Sequence, residues 1–208
     1  MTILIGQYDS PFVRRVGIAL RLYEMPFEHR PWSVFADAEK ISAINPLGRV
    51  PVLVLETGFA LTDSHAILDY LDSLVAQPLY PRTEPQRHQV VKVAALATGL
   101  ADKAVGLVYE RAMHQPPSAL WERRCTNQIT AVLRSLEADR AGRNSPWWFG
   151  AQMTHADIAV ACALRFVVQA HPAIDLSACP ALKAHSAACE GLAVFRQIDQ
   201  PFNGPAPR

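Results

Sequence analysis

No cysteine occurs before Cys125, and the four present, Cys125, Cys162, Cys179 and Cys189, include no C-x-x-C pair. Thiol–disulfide exchange by an N-terminal cysteine is thereby excluded, and a disulfide framework is not expected. Cys162 stands in the apolar run Ile158 to Leu164 and reads as a buried thiol acting as a small hydrophobe, a usage that suits a reducing, cytoplasmic setting. His185 and Cys189 are four apart with Cys179 nearby, but dispersed ligands fall short of structural zinc spacing, so no metal is expected. Long uninterrupted apolar runs are missing too: Lys92, Asp102, Lys103, Asp157 and Arg165 break the longest, and the N-terminus lacks the basic and apolar regions of a leader. No membrane span or export is expected. An excess of either charge is also absent. With 20 Lys and Arg against 19 Asp and Glu the formal net charge is +1, which gives no electrostatic reason for a nucleic-acid or acidic-membrane partner. Neither G-x-G-x-x-G nor a Walker A pattern occurs, so nucleotide binding lacks support, and without a G-x-S-x-G elbow a serine hydrolase is a distant reading.

What is present is a chain of 208 residues, half of them apolar, with two modules in succession. A short apolar strand, Ile3 to Ile5, runs into Tyr8-Asp9-Ser10-Pro11-Phe12 and a helix reaching about Tyr23. Ser10 is a favoured N-cap type and Pro11 fits the first helical position. Val13, Val16, Gly17, Ala19 and Leu20 form the apolar pattern, and Arg14, Arg15 and Arg21 are assigned to the other faces. An edge strand is expected over 27–32 and a short helix over 36–44, closed by Asn45-Pro46-Leu47-Gly48. Arg49 to Leu55 reads as a strand that Pro51 opens, eased by a cis Val50–Pro51 bond. A turn at Glu56-Thr57-Gly58, a strand over 59–61 and a helix capped by Ser64 complete a βαβαββα module. The domain division expected is 1–76, a linker over 77–86 rich in proline, and an all-helical 87–208. Helices are expected over 86–113 and 118–140, then from a capping box at Thr154 and Asp157 to Ala170, and again from Pro180.

Ser10-Pro11-Phe12, the run from Asn45 to Leu53, Asp63-Ser64 and Thr154-His155-Ala156-Asp157, in this order and separation, resemble a bacterial glutathione S-transferase of the serine type. The resemblance covers nearly the full length. It implies a thioredoxin-like N-terminal domain (α/β) followed by a helical-bundle C-terminal domain, an enzyme that takes glutathione as co-substrate with no other cofactor, and a homodimer built on the helices beginning near Ser64 and Gln86. Ser64 and Asp63 would then meet the γ-glutamyl carboxylate and amine, the first at a helix start suited to an anion, the second as a counter-charge. Val50, held by Pro51, would offer main-chain groups to the cysteinyl backbone as an added strand does. Arg49 is open between partner of the glycyl carboxylate and solvated surface charge.

Ser10 would donate to the glutathione thiolate. A free thiol has a pKa of about 8.5, and each unit of lowering corresponds to about 1.4 kcal/mol of preferential thiolate stabilisation. A hydroxyl donor and a helix start together can supply one or two such units. Taken alone, Ser10 reads better as a plain helix cap, and Tyr8, two residues earlier and so on the same face of a continuing strand, is its rival for the thiol. Phe12, Tyr109 and Met113 are candidates for an apolar pocket between the domains, although an aromatic and a methionine four apart on a helix also suit a core or interface. Asp102 reads as a solvated or locally paired carboxylate or, in some relatives, a group reaching the partner subunit's ligand. The activity implied is thiolate attack on a small hydrophobic electrophile, in detoxification, with glutathione-dependent peroxidase, isomerase or dehalogenase chemistry able to use the same site. The alternative is a non-catalytic binding or regulatory protein of the same fold.

Overall fold

The structure, a computed structural model, describes residues 1–205. A continuous apolar run, Ile3 to Ile5, makes β1 (Thr2–Ile5) the natural centre of a sheet, and its neighbours are β2 (Phe27–Arg30), parallel to it, and β3 (Val52–Val54), antiparallel. A hairpin joins β3 to β4 (Ala60–Thr62), giving the order β2-β1-β3-β4 with β2 at an edge. Leu4 stands opposite Leu53 in this register. Both are fully buried with Val13, Val16, Ala19 and Leu20 of α1 (Pro11–Leu22) and Ile67, Leu68 and Leu71 of α3 (Ser64–Ser73). Each such valine, leucine or isoleucine contributes about 1.5–3 kcal/mol on burial, so the two helices are held to the sheet by the hydrophobic effect. The short α2 (Ala38–Ser42) precedes a buried Asn45, whose side-chain amide donates to the Arg49 carbonyl and closes the turn leading to β3. The Val50–Pro51 peptide is cis and Pro51 stands just outside β3.

Several expectations are corrected here. Arg14 and Arg15 are not on a solvated face: each is 1% exposed. Tyr8 and Ser10 lie in a turn after β1 ends at Ile5, so the two-residue alternation of a strand does not set their relative direction. Ser64 does not cap α3. Asp63 does, with its carboxylate accepting the His65 N–H at 2.7 Å, and Ser64 is the first helical residue. Strand β2 and helix α2 are also shorter than the patterns suggested, as expected where element ends rest on few contacts.

The remaining helices are α4 (Gln86–Met113), α5 (Ala119–Ala141), α6 (His155–Ala170), α7 (Pro180–Glu190) and the short α8 (Ala193–Gln197). Helix α4 packs on α5 and α6, and α7 on α5 and α6. The contact face of α4 carries Ala94, Ala97, Ala101 and Ala104, small residues that allow close approach, and α6 is apolar nearly all round, as a central helix must be. Thr154 and Asp157 form the capping box, and Asp157 also accepts the Trp148 N–H at 2.7 Å. The described chain divides into two units, Met1–Leu79 with Leu192–Pro201, and Tyr80–Gly191 with residues 202–205. The division falls within the 77–86 segment, and residues 192–201 group with the first unit and not with the helical body.

Candidate functional site

The first unit carries two helix starts. At the first, Ser10 has extended backbone (φ −67°, ψ 123°) and its Oγ accepts the Val13 N–H at 3.4 Å, a long bond, while Pro11 begins α1. The hydroxyl proton is not used by this cap and remains available to an acceptor. At the second start, Asp63 sits at φ +69°, a conformation that costs a non-glycine residue about 1–3 kcal/mol and is held by its own cap bond to His65. Ser64 is 2% exposed, and its Oγ accepts from Arg15 Nη1 at 3.3 Å. Among the described residues nothing is bonded to the Ser64 amide, the ordinary state of a first helical N–H. An orphan amide, a hydroxyl and a buried guanidinium thus meet at the positive end of α3, an arrangement whose charge and donors suit an anion. The His65 imidazolium is pushed down from its ordinary value, first by loss of water around the ring and then by the charge of Arg15.

Gly6 brings the first start beside the strand opening. Its φ is +124°, and a Cβ there would lie 2.5 Å from Val13 Cγ2 and 2.8 Å from Val50 Cβ, so only glycine fits between them. Among the described residues no partner is bonded to the Val50 amide or carbonyl, which leaves main-chain groups open to an extended peptide-like ligand. Arg49 is exposed, and its carbonyl accepts from Asn45. The ring of Tyr8 stacks on His29 with centroids 3.8 Å apart, its Cε1 lies 3.1 Å from where a Cβ on Gly17 would be, and burial pushes its phenol up to about 12.

Family models decide what this arrangement belongs to. Residues 4–79 match the glutathione S-transferase N-terminal domain and residues 119–188 the C-terminal domain. The chain belongs to the glutathione S-transferase family. It is 33% identical over 165 residues, 79% of this chain and 81% of that protein, to the uncharacterized GST-like protein YibF of Escherichia coli K12. A glutathione S-transferase of Methylobacterium radiotolerans, solved in complex with glutathione sulfonate, superposes with a TM-score of 0.91 at 26% identity, covering 100% of this chain and 98% of that one. A glutathione S-transferase of Methylobacillus flagellatus, solved with GSH bound, gives 0.88 at 28% identity, covering 95% and 98%.

Within this family frame, Ser10, Val50, Pro51, Asp63 and Ser64 all lie in the first unit, and Phe12 is half-buried at the second position of α1. In the other unit, Tyr109 is half-buried and Met113 exposed near the end of α4, and Asp102 is exposed and paired with Lys103 at 3.2 Å. Sequence reasoning missed Arg15 and Gly6. A signal for the arginine was there: two successive basic residues near a helix start oppose the helix dipole, which makes a specific partner the better explanation. No helix among the described residues is long and apolar enough to cross a membrane.

Proposed function

We propose that this family member is a glutathione transferase: it binds glutathione along the first unit, favours its thiolate through Ser10, and lets that thiolate attack a small hydrophobic electrophile. The observation that carries the reading is the Arg15–Ser64 hydrogen bond, because it joins the helix that begins at Ser10 to the one that begins at Ser64. One start receives the thiolate and the other the γ-glutamyl carboxylate. Asp63, exposed and with one oxygen taken by the cap, offers the other to the γ-glutamyl amine. The open main-chain groups of Val50 take the cysteinyl backbone, with Arg49 as the partner of the glycyl carboxylate. Ser10 is preferred to Tyr8 because the tyrosine ring is committed to His29 and Gly17, and its buried phenol is a weaker acid than usual. Phe12 is the apolar contact that the first unit offers the electrophile, and a homodimer through α3 and α4 goes with this reading.

Ser10 acts as a donor and not as a nucleophile. Thiolate stabilisation and proximity then drive the reaction, and no metal or further cofactor is called for in this scheme. The test is the ultraviolet titration of the bound glutathione thiol in Ser10→Ala. A rise of one to two units, with kcat at neutral pH falling about ten- to a hundredfold, is the expected outcome. An unchanged thiol titration and full activity would sink the Ser10 role. Calorimetry showing no glutathione binding at all would favour a regulatory protein of the same fold.

A further inference from the structure

Ser10 is held from both sides by a segment far away in the chain. Two residues before it, the Tyr8 N–H donates to Gln200 Oε1 at 3.0 Å. Four residues after it, Arg14 donates from Nε to the Ile198 carbonyl at 2.9 Å and from Nη2 to the Phe195 carbonyl at 3.1 Å, with its guanidinium 5.5 Å over the Phe195 ring. Arg14 is 1% exposed, so these carbonyls are what makes burial of its charge tolerable. Gly17 completes the seat: a Cβ there would lie 3.0 Å from Ile198 Cγ2 and 3.1 Å from Tyr8 Cε1, so both side chains rest on bare helix backbone. The bond that the Ser10 hydroxyl oxygen accepts, from the Val13 N–H, is long at 3.4 Å and cannot define the hydroxyl's position well.

We propose that Leu192–Pro201 is a positioning device for the thiolate donor, with Gln200 as its positioning residue: the segment ties down the chain on either side of Ser10 and so sets where the hydroxyl points. This rests on the reading of Ser10 given above. Misplacement of a reacting group by about 1 Å can cost on the order of a hundredfold in rate, so a tether two residues away is close enough to matter. The rest of the loop is held by the Gly6 N–H donating to the Arg30 carbonyl at 2.9 Å, by His29 Nε2 at 2.8 Å from the Gly6 carbonyl under the Tyr8 ring, and by the Ser10 N–H donating to the Gln7 carbonyl at 3.2 Å; none of these engages the Tyr8 amide, which is the group that Gln200 ties down.

The test compares the full-length protein with Gln200→Met, which keeps the length of the side chain and removes the accepting oxygen. Measured quantities are the thiol titration of bound glutathione, the separate kcat and glutathione KM, and the thermal midpoint. The expected result is a thiol pKa raised by about half a unit to one unit, hence about three- to tenfold less thiolate and lower kcat at neutral pH, with KM for glutathione unchanged. A lowered thermal midpoint with an unmoved thiol pKa would show a merely structural tether and overturn the proposal. Should Gln200→Met fail to fold, Gly17→Ala decides by the same readout, because its added methyl displaces Ile198 and Tyr8. Ser10→Ala is measured in parallel. If that variant leaves the thiol pKa unmoved, the reading of Ser10 falls and this proposal with it; if it raises the pKa and Gln200→Met does not, only the positioning proposal falls.

Discussion

At the start of α1 the cap is local, with an extended serine and a proline making an ordinary helix entry within four residues. At the start of α3 the cap is a strained aspartate, and the serine behind it is buried against an arginine from another helix. The difference teaches where each start can take an anion. The first presents a hydroxyl that the fold leaves lightly engaged, suited to an acceptor that must be met at one atom, such as a sulfur. The second gathers an amide, a hydroxyl and a full positive charge, suited to the two oxygens of a carboxylate.

The largest effect in this comparison is expected at their shared residue. Arg15→Met removes a charged donor and leaves Ser64 Oγ without it, which costs about 1.5–3 kcal/mol for a hydrogen bond to a charged group. Glutathione should bind about ten- to a hundredfold more weakly by calorimetry, with kcat at saturation much less affected. A variant that lost kcat and kept affinity would break the division of labour. Next comes Asp63, where Gly and Ala should part company. Asp63→Ala loses the cap and keeps the strained φ, at a cost of about 1–2 kcal/mol in stability, whereas glycine in the capping position costs only a few tenths and relieves the backbone. Both variants lose the carboxylate and should lose affinity alike, so denaturant unfolding and calorimetry separate strain from recognition.

The smallest effect concerns pH. His65 titrates below its ordinary value because desolvation and Arg15 disfavour the imidazolium. An anion placed at the start of α3 favours that charged form, so glutathione should raise the His65 pKa, and by linkage binding should tighten modestly as pH falls through the range below about 6.5. Proton-detected titration of the ring with and without glutathione checks this. A His65 pKa that stayed still on saturation would move the carboxylate away from α3.

Much of the first helix start was legible without coordinates. Ser10 followed by Pro11 is a local instruction, and so is the Thr154–Asp157 capping box, because each is closed by backbone groups within a few residues. The order of strands and helices in the first module was legible for the same reason, since periods of two and about 3.6 are written residue by residue. Pro51 showed its place in part: read as the residue that opens the strand because a proline cannot donate to a ladder, it stands one residue before β3, which is shorter than the run Arg49 to Leu55.

What the chain by itself could not specify were the partners closed over long separations. The start of α7 is an example: Cys179 supplies no side-chain cap, and Glu137 of α5 accepts the Ala181 and Leu182 N–H groups at 2.9 and 2.8 Å instead. Arg14 and Arg15 stood off the apolar pattern of their helix, and only folding buried them against Phe195, Ile198 and Ser64. The sequence alone determined two modules, their element order, the family resemblance and a serine at a helix start. The tertiary structure alone decided that Ser64 stands behind a strained Asp63 cap, that Arg15 joins the two starts, and that residues 192–201 return to hold the first. The physical reason is range: propensities, caps and turns act over a few residues, while the burial of a charge is settled by whichever distant carbonyl or hydroxyl the packed chain brings to it.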